Sequence, residues 1–409
     1  MNLLFALFAC SAGNIELPYI DTARPLKDSA PVQETGEEDD TEEDTDEVEV
    51  VPGAKDPIEQ LFAGETVPIF ELELSEASIA ALAQDPDTYV EGALTFGDVR
   101  LDRVGVRLKG ENSFLPISQK AAFKIKLDEY VEDQELYGLK SLTFNNLVSD
   151  ATYLHEWMGY RHFRMLDLPA ARTGHAWIHL NGEPYSLYAF IETVDKRFLK
   201  RWFDDNDGSM WELADVDFQM AYIAQFDPEA GEDDREILVN LSKALAMPGE
   251  EAIAAAEPYL NWSKFLDFWA AEIIVGQFDS YPYSSPGDDC HIYSDPSDGG
   301  RLVFIPHGMD ETYGDPTRDA TGVYGIAARR CLEVPSCEDE LREKVKEQLR
   351  ISEERDTSLE FDAARERLRE SIVADPRRLY DLSTITSTQN TMGAFIAGRE
   401  TSLSQWLSK

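Results

Sequence analysis

The chain has 409 residues, of which 43% are hydrophobic and 11% aromatic, so it is long enough to bury a large core in one or two domains. Its 79 acidic residues outnumber 37 basic ones and give a formal net charge of −42. A charge of that size repels phosphate backbones and argues against nucleic acid as a partner.

The first ten residues, MNLLFALFAC, form an apolar stretch that is too short to span a bilayer. The stretch ends at Cys10 and resembles the signal segment of a bacterial lipoprotein, which is cut before a cysteine that then carries lipid. The basic residue that usually precedes such a run is absent, and the alternative is an apolar tail without consequence. We predict residues 1–10 to be a lipoprotein-type signal segment and Cys10 to be the residue that carries the lipid. The protein would then lie at the cell envelope or outside the cell, with this lipid as its membrane anchor.

Residues 11–60 carry an acidic run, in which ten of the thirteen residues from 37 to 49 are Asp or Glu. Such a run cannot bury apolar surface and repels itself. We therefore predict residues 11–60 to be a disordered tether that holds a folded domain, residues 61–409, away from a membrane surface. A calcium-buffering tail is the alternative.

The first part of the domain, about residues 61–208, has the period-two alternation of strands. VPIFELEL, ALTF, VRLDRVGVRLKG and AAFKIKLDEY all alternate, and 142–144 adds a short strand. Asp150 is placed to cap the helix that follows. Asn181-Gly182 lies between two runs of β-formers and predicts a hairpin, because both central turn positions require a positive φ.

The second part, about residues 209–409, is dominated by helical patterns. These occur at 235–246, 250–257 and 262–277, before two short strands, CHIYS and RLVFI, and two or three amphipathic helices. The sequence therefore predicts an α+β fold, with a β-rich N-terminal lobe, a helix-rich C-terminal lobe and a cleft between them.

Charge reverses locally between Arg100 and Lys126, where seven basic residues accompany only two acidic ones. Lys109, Lys120 and Lys124 lie on predicted strands or next to the loop that holds Ser113 and Gly110, so this segment is a candidate site for an anion. The loop lacks the GxxxxGK[ST] pattern of a P-loop. The alternative is a set of charges on a solvated sheet face.

Carboxylates follow or precede predicted elements in the second part. Asp279 follows a helix, Asp288-Asp289 precede the strand CHIYS, and Asp310 follows the strand RLVFI. Mg²⁺ prefers such hard oxygen ligands. Phosphoryl transfer requires little more from a protein than a lysine that neutralises the phosphates, a carboxylate that positions the attacking hydroxyl and carboxylates that hold the metal. The alternative is that these aspartates cap turns.

Three cysteines remain apart from Cys10. Cys331 and Cys337 enclose a short loop that a disulfide can close in an oxidising compartment, whereas Cys290 stands alone. The sequence contains no CxxC pair, so it gives no indication of a metal site built from cysteines.

Several motifs occur in an order typical of one family: KGENS, QKAAFKIKL, LYGLKSLTFNN, HLNGEPYSLYAFIETVDKRFL, QFD and HGMDETYG. Together they resemble the spore coat protein H (CotH) kinase family over most of residues 67–320, and NGExxxLYxxxExxD is the most specific motif. The resemblance implies an atypical protein-kinase-like fold that binds ATP and a divalent metal, Mg or alternatively Mn or Ca. It also implies transfer of the γ-phosphate to Ser or Thr of a surface or secreted protein partner. We expect the protein to be a monomer.

The resemblance also assigns roles to residues. It implies that Lys120 or Lys124 contacts ATP phosphates and that Glu192 pairs with the lysine. Lys109 and Ser113 are further candidate nucleotide contacts. The catalytic candidates are Asp279 and Lys120, and the metal candidates are Asp310 and Asp289.

The sequence departs from the family pattern at several positions. The family usually has Trp-Asp where this chain has His307-Gly308, asparagines where it has Asp288-Asp289, and a basic residue at Ala121. The alternative function is therefore a structural or adhesive surface protein that retains the fold without catalysis. A calcium-dependent surface protein is a third possibility, although no EF-hand pattern occurs.

Overall fold

The computed structural model describes residues 57–62, 66–110 and 112–409. The predicted signal segment, Cys10 and almost all of the predicted tether lie outside these ranges. Helix α1, Pro57–Phe62, falls partly within the predicted tether, and Leu61 and Phe62 are buried. Both buried residues belong to the predicted domain, 61–409.

A closed barrel of seven strands forms the first part of the domain. Its strands are β1 Ile69–Leu74, β2 Val90–Phe96, β3 Val99–Lys109, β4 Ala122–Lys126, β5 Ser141–Asn145, β6 Thr173–Leu180 and β7 Glu183–Glu192. Their order is β1-β2-β3-β4-β5-β7-β6, and the barrel closes through the parallel pair β1 and β6. Asn181 and Gly182 have φ of 53° and 83°, which confirms the predicted hairpin between β6 and β7.

Aromatic side chains fill the barrel. The ring centroids of Phe70 and Phe144 lie 5.1 Å apart, and those of Phe144 and Phe190 lie 5.0 Å apart. Because side chains alternate along a strand, the residues directly before and after these phenylalanines point outward. Arg107, Lys124 and Thr143 lie opposite one another on β3, β4 and β5, and together form part of the outer face.

The described helices after α1 occur mostly in the second half of the chain. They are α2 Glu76–Gln84, α3 His155–Met165, α4 Lys196–Trp202, α5 Glu236–Leu245, α6 Gly249–Ala256, α7 Trp262–Val275, α8 Ile326–Leu332, α9 Pro335–Glu354, α10 Thr357–Ala374 and α11 Leu382–Leu407. Helix α7 is buried on most sides and ends at Gly276, which adopts the left-handed conformation common at helix ends.

A second sheet has four strands in the order β11-β10-β8-β9. Its strands are β8 Met210–Leu213, β9 Asp227–Ala230, β10 Cys290–Asp295 and β11 Arg301–Pro306. One face, with Trp211 and Phe304, joins the helical core, while the other face, with Met210 and Tyr293, packs on α4. The sequence predicted β10 and β11 but missed β8 and β9.

The chain is thus a mixed α+β protein, as predicted. All described residues belong to a single compact unit, and the predicted division into kinase-like lobes at residues 208–209 stays a prediction. Cys331 and Cys337 form a disulfide with an S–S distance of 2.14 Å, and Cys290 is buried and free. Among the residues described, no helix has the length and apolar character required to cross a membrane.

Candidate functional site

Pairing of β10 with β11 places Asp289 beside Gly308. Cys290 lies opposite Pro306 at the end of the ladder, and the backbone N–H of His307 donates to the Asp289 carbonyl at 3.1 Å. Gly308 has a φ of 55°, and a Cβ added to it would lie 2.0 Å from Asp289 Oδ1. The carboxylate therefore occupies the space that a side chain at position 308 would take.

Gln277, directly after α7, connects the three loops of this site. Its Nε2 donates to the Gly308 carbonyl at 2.6 Å and lies 3.4 Å from Asp289 Oδ2. Its Oε1 accepts from the backbone N–H of Asp279 at 3.3 Å. Gln277 is fully buried. The sequence analysis did not assign it a role, although it lies in the quoted motif QFD.

Asp289, Asp310 and Asp279 form one acidic cluster with Asp288. The pKa of Asp289 is raised to about 10, mainly by burial, and these neighbouring carboxylates add to the shift. Asp310, in the 3-10 helix Met309–Glu311, also has a raised pKa because of its burial. A divalent cation would relieve the repulsion, and carboxylate oxygens are the hard ligands that Mg²⁺ and Mn²⁺ prefer. Among the described residues, however, no three carboxylates of this cluster place their oxygens within 4.8 Å of one another.

Helix α3 supports Asp310 from the other side. His155 Nδ1 lies 2.8 Å from the Asp310 carbonyl, and the backbone N–H of His155 donates to Asp150 Oδ2 at 2.9 Å. Asp150 is not the N-cap that the sequence predicted, because the helix begins at His155 with Leu154 as its N-cap, but its carboxylate accepts from the first backbone N–H of the helix. It fixes His155, and with it the backbone of Asp310.

Lys109 is the basic residue that the structure brings to this cluster. Burial lowers the pKa of Lys109, while the charges of Glu156 and Asp310 oppose that shift. Lys109 Nζ donates to Asn145 Oδ1 at 2.7 Å, and Asn145 Nδ2 donates to the Glu156 carboxylate at 2.9 and 3.1 Å. An amide thus links the ammonium group to a buried carboxylate.

Asn145 and Glu156 were not singled out from the sequence. Glu156 is buried on α3, and its pKa is raised to about 8 by burial and by the charge of Asp310. The LTFNN motif contains Asn145, but nothing in the sequence shows that it faces a glutamate eleven positions later.

Lys124 shares the outer barrel face with Lys109 and Arg107. Its Nζ donates to Thr193 Oγ1 at 3.2 Å, and its pKa is lowered to about 8 by burial and by these two neighbouring cations. Ser113 lies close to Gly110, directly after Lys109, since a Cβ at Gly110 would lie 2.9 Å from Ser113 Oγ. These predicted contacts therefore lie near one another on the barrel.

Lys120 lies elsewhere. Its side chain is completely buried, and Nζ is 3.1 Å from Asp375 Oδ2. The charges that act on it are those of Asp375 and Asp150. Asp310 and Asp289 are not among the groups whose charges are found to act on Lys120, although Asp150 acts on both Lys120 and Asp310.

Glu192 requires a correction. The resemblance implied a pair with a lysine, but its carboxylate lies 2.7 Å from Arg172 and also pairs with Arg201. The backbone N–H of Arg172 donates to it as well, at 2.8 Å. Glu192 therefore fixes the start of β6 against α4.

The second sheet presents further polar groups to the barrel. His307 Nε2 lies 3.6 Å from Glu212 Oε1, and the rings of His291 and His307 are 4.7 Å apart. The pKa of His307 is lowered by burial first and also by Lys109 and Lys124, so these histidines and lysines face a common space.

Another acidic group is present among the residues with described side chains. Oxygens of Glu212, Asp227 and Glu229 lie within 4.8 Å of one another. Burial raises the pKa of Glu229, and the positive charges of Lys124 and Arg107 lower it. We interpret this group as the counter-charge to the outer barrel face.

The geometry combines a lysine held through an amide with aspartates on adjoining loops. Lysine can bind phosphate oxygens, and carboxylates can hold the metal that accompanies them. One family model, described as CotH kinase protein, matches residues 106–403, which include this entire arrangement. No curated protein matches the chain. The chain therefore belongs to the CotH kinase family.

Proposed function

We propose that the protein transfers the γ-phosphate of ATP to Ser or Thr of a protein partner, with magnesium as the metal. Membership in the CotH kinase family supports a kinase-like activity. The observation that carries the proposal is the hydrogen-bonded chain from Lys109 through Asn145 to the buried carboxylate of Glu156 on α3, the helix whose His155 also contacts the Asp310 carbonyl. A cation and a buried carboxylate that meet across two elements are suited to a phosphate and its metal.

The chain's own residues have distinct roles in this proposal. Lys109 binds phosphate oxygens, with Lys124 as a second cation on the same face. Asp310 and Asp289 hold the divalent ion, which supplies positive charge to the phosphates when it is bound. Asp279 is exposed at the edge of the cluster, where it can orient the acceptor hydroxyl.

The proposal places the protein at the bacterial cell envelope or outside the cell. It rests on the lipoprotein-type signal with Cys10, the acidic run, and the disulfide between Cys331 and Cys337, which requires oxidising conditions. The partner is then a surface or secreted protein. Mn²⁺ and Ca²⁺ remain alternative metals.

Transfer of labelled phosphate from ATP tests the proposal. The full chain with magnesium should label itself or a Ser/Thr-rich protein, and Asp310→Asn should lower the rate at least 100-fold by loss of a metal ligand, about 2.7 kcal/mol of barrier. Asp315→Asn is the matched control, since Asp315 is exposed and only caps Thr317.

Equal labelling by wild type and Asp310→Asn would contradict the assigned site. Absence of labelling by the wild type, together with a thermal shift on ATP and magnesium, would identify a protein that binds nucleotide without transfer. Absence of both effects would leave the structural or adhesive alternative.

A further inference from the structure

A buried lysine and a buried aspartate form an ion pair that is not part of the acidic cluster. Lys120, just before β4, and Asp375, just after α10, have side chains with 0% exposure, and Nζ lies 3.1 Å from Oδ2. The two residues are 255 positions apart. No solvent separates or screens this pair, so its chemistry depends on its immediate neighbours.

Those neighbours are mainly aromatic. Lys120 Nζ lies 5.0 Å from the ring centroid of Tyr153 and 5.8 Å from that of Tyr188. Burial lowers the pKa of Lys120. Burial makes a charged pair costly, and transfer of one proton within the pair would leave both groups neutral.

The two oxygens of Asp375 are held differently. Oδ1 accepts a hydrogen bond from Ser186 Oγ at 2.7 Å and another from the backbone N–H of Arg377 at 3.0 Å. Oδ2 faces the lysine. Two donors on Oδ1 would stabilise negative charge that develops there if the amine attacked Cγ, as in an oxyanion hole.

A third donor is available beside the carboxylate. The hydroxyl of Tyr153 is buried next to the Asp375 carboxylate, whose charge and hydrogen bond both act on it. Its raised pKa, which results mainly from burial and next from the charge of Asp375, keeps it protonated. It can therefore donate a hydrogen bond to the reacting group, a role that a plain ion pair does not require.

We propose that Lys120 and Asp375 condense into an intramolecular isopeptide bond. Lys120 Nζ gives one proton to Oδ2, and its lone pair then forms the N–Cγ bond. A second proton passes from nitrogen to Oδ2, the Cγ–Oδ2 bond breaks, and one water leaves. Oδ1 remains as the amide oxygen on Ser186 and Arg377. The ion pair contains all the atoms and protons, so no co-reactant is needed.

The fixed geometry is what makes the reaction feasible. Groups held at reacting distance in one orientation gain effective concentrations of about 10⁵ M or more over free reactants. The product would join the barrel covalently to the segment between α10 and α11. This is a modification independent of phosphate transfer, so either proposal can fail without the other.

Peptide mapping of the full chain tests the bond. Wild-type protein, digested with trypsin after denaturation, should yield a branched peptide in which Lys120 is joined to the segment that contains Asp375, with the loss of one water. Trypsin should not cut after Lys120. Linear peptides that end at Lys120, together with an unmodified peptide containing Asp375, would overturn the proposal.

Two further measurements do not depend on the folding of a destabilised variant. Lys120→Arg keeps the positive charge but has no primary amine, and its intact mass should exceed that of the wild type by the Lys-to-Arg difference plus one water. Mild acid cleaves Asp-Pro bonds through the free side-chain carboxyl group. Asp375-Pro376 should therefore resist cleavage in the wild type, while Asp85-Pro86 serves as the internal control.

Discussion

Gly308 determines where the Asp289 carboxylate lies. A Cβ at this position would lie 2.0 Å from Asp289 Oδ1, so the absent side chain leaves room for the Asp289 carboxylate. That carboxylate comes from the residue that directly precedes β10.

Gly308→Ala should displace Asp289 and abolish the stabilisation of the protein by magnesium and ATP. The new Cβ would lie 2.0 Å from Asp289 Oδ1, in addition to the cost of a φ of 55° for a residue with a side chain. Thermal unfolding with and without magnesium and ATP measures the effect.

Gly97→Ala is the matched control for Gly308→Ala. Gly97 has the same φ of 55°, but its added Cβ would have no atom within 4 Å. Its cost should be the backbone term alone, about 1–2 kcal/mol. Equal responses of the two variants to magnesium and ATP would show that Asp289 does not hold the metal.

Lys109→Met should weaken ATP binding at least tenfold, about 1.4 kcal/mol. Lys109 is half-buried beside Asn145, and methionine removes the charged group while it keeps an unbranched side chain that is one atom shorter. At ATP concentrations 100-fold above Kd the wild type should gain about 2.7 kcal/mol, and thermal shifts report the difference.

Lys126→Met provides the control for the Lys109 variant. Lys126 belongs to the same basic segment, but it is exposed and pairs with Glu129 at 3.0 Å. It should keep the full thermal shift. If Lys109→Met also keeps it, the nucleotide does not bind at this barrel face.

Helix α3 is the element that connects barrel and acidic cluster. Glu156 on one turn reaches Asn145 of β5, and His155 reaches the backbone of Asp310. The helix approaches the 3-10 helix Met309–Glu311 closely at Gly159, where an added Cβ would lie 3.0 Å from Met309 Cβ. A small residue on α3 therefore sets the position of the segment that carries Asp310.

Gly159→Leu should destabilise the fold by about 1–3 kcal/mol, the usual cost of overpacking, and should weaken magnesium binding. The leucine must push Met309, and with it Asp310. Denaturant unfolding with and without magnesium measures both effects.

The same change in α11 is the control for Gly159→Leu. A Cβ on Gly398 would have no atom within 4 Å, so Gly398→Leu should stabilise the protein by roughly 0.5–1 kcal/mol through helix propensity. Stabilisation of similar size at Gly159 would mean that the contact with Met309 does not position the site.

For the whole molecule, the dominant feature is a continuous core around α7 that holds several titratable groups. His162 is 4% exposed, and burial lowers its pKa to about 4. The C-terminal helix closes this core onto the loop before α3, since Gln389 Nε2 donates to the Thr152 carbonyl at 2.9 Å. Protonation of a buried group therefore opposes folding of the entire unit.

Acid should destabilise the wild type relative to His162→Leu. In the unfolded chain His162 binds a proton near pH 6.5, but in the folded chain it does so only near pH 4. Between these values the unfolded state holds more protons, so the wild type should lose about 1.4 kcal/mol per pH unit relative to the variant. Denaturant unfolding at pH 7, 6, 5 and 4.5 measures this slope, and parallel curves would contradict it.

Local patterns in the sequence determined much of this architecture. Strand alternation predicted most of the barrel, Asn181-Gly182 predicted its hairpin, and the ordered motifs indicated the family. The signal at Cys10 and the acidic run stay predictions. These features depend on neighbouring residues, or on motif order, and are therefore visible without contacts.

Tertiary structure alone decided which charged residues meet. Lys109, Lys120 and Lys124 belong to the same basic segment, and the sequence does not distinguish their surroundings. Lys109 and Lys124 project from the outer barrel face near His307, while Lys120 is buried against Asp375. Asn145 of β5, Glu156 of α3 and Gln277 after α7 join the site because these elements converge on it. Such pairings arise from packing between elements distant in the chain, where no local periodicity records the partner.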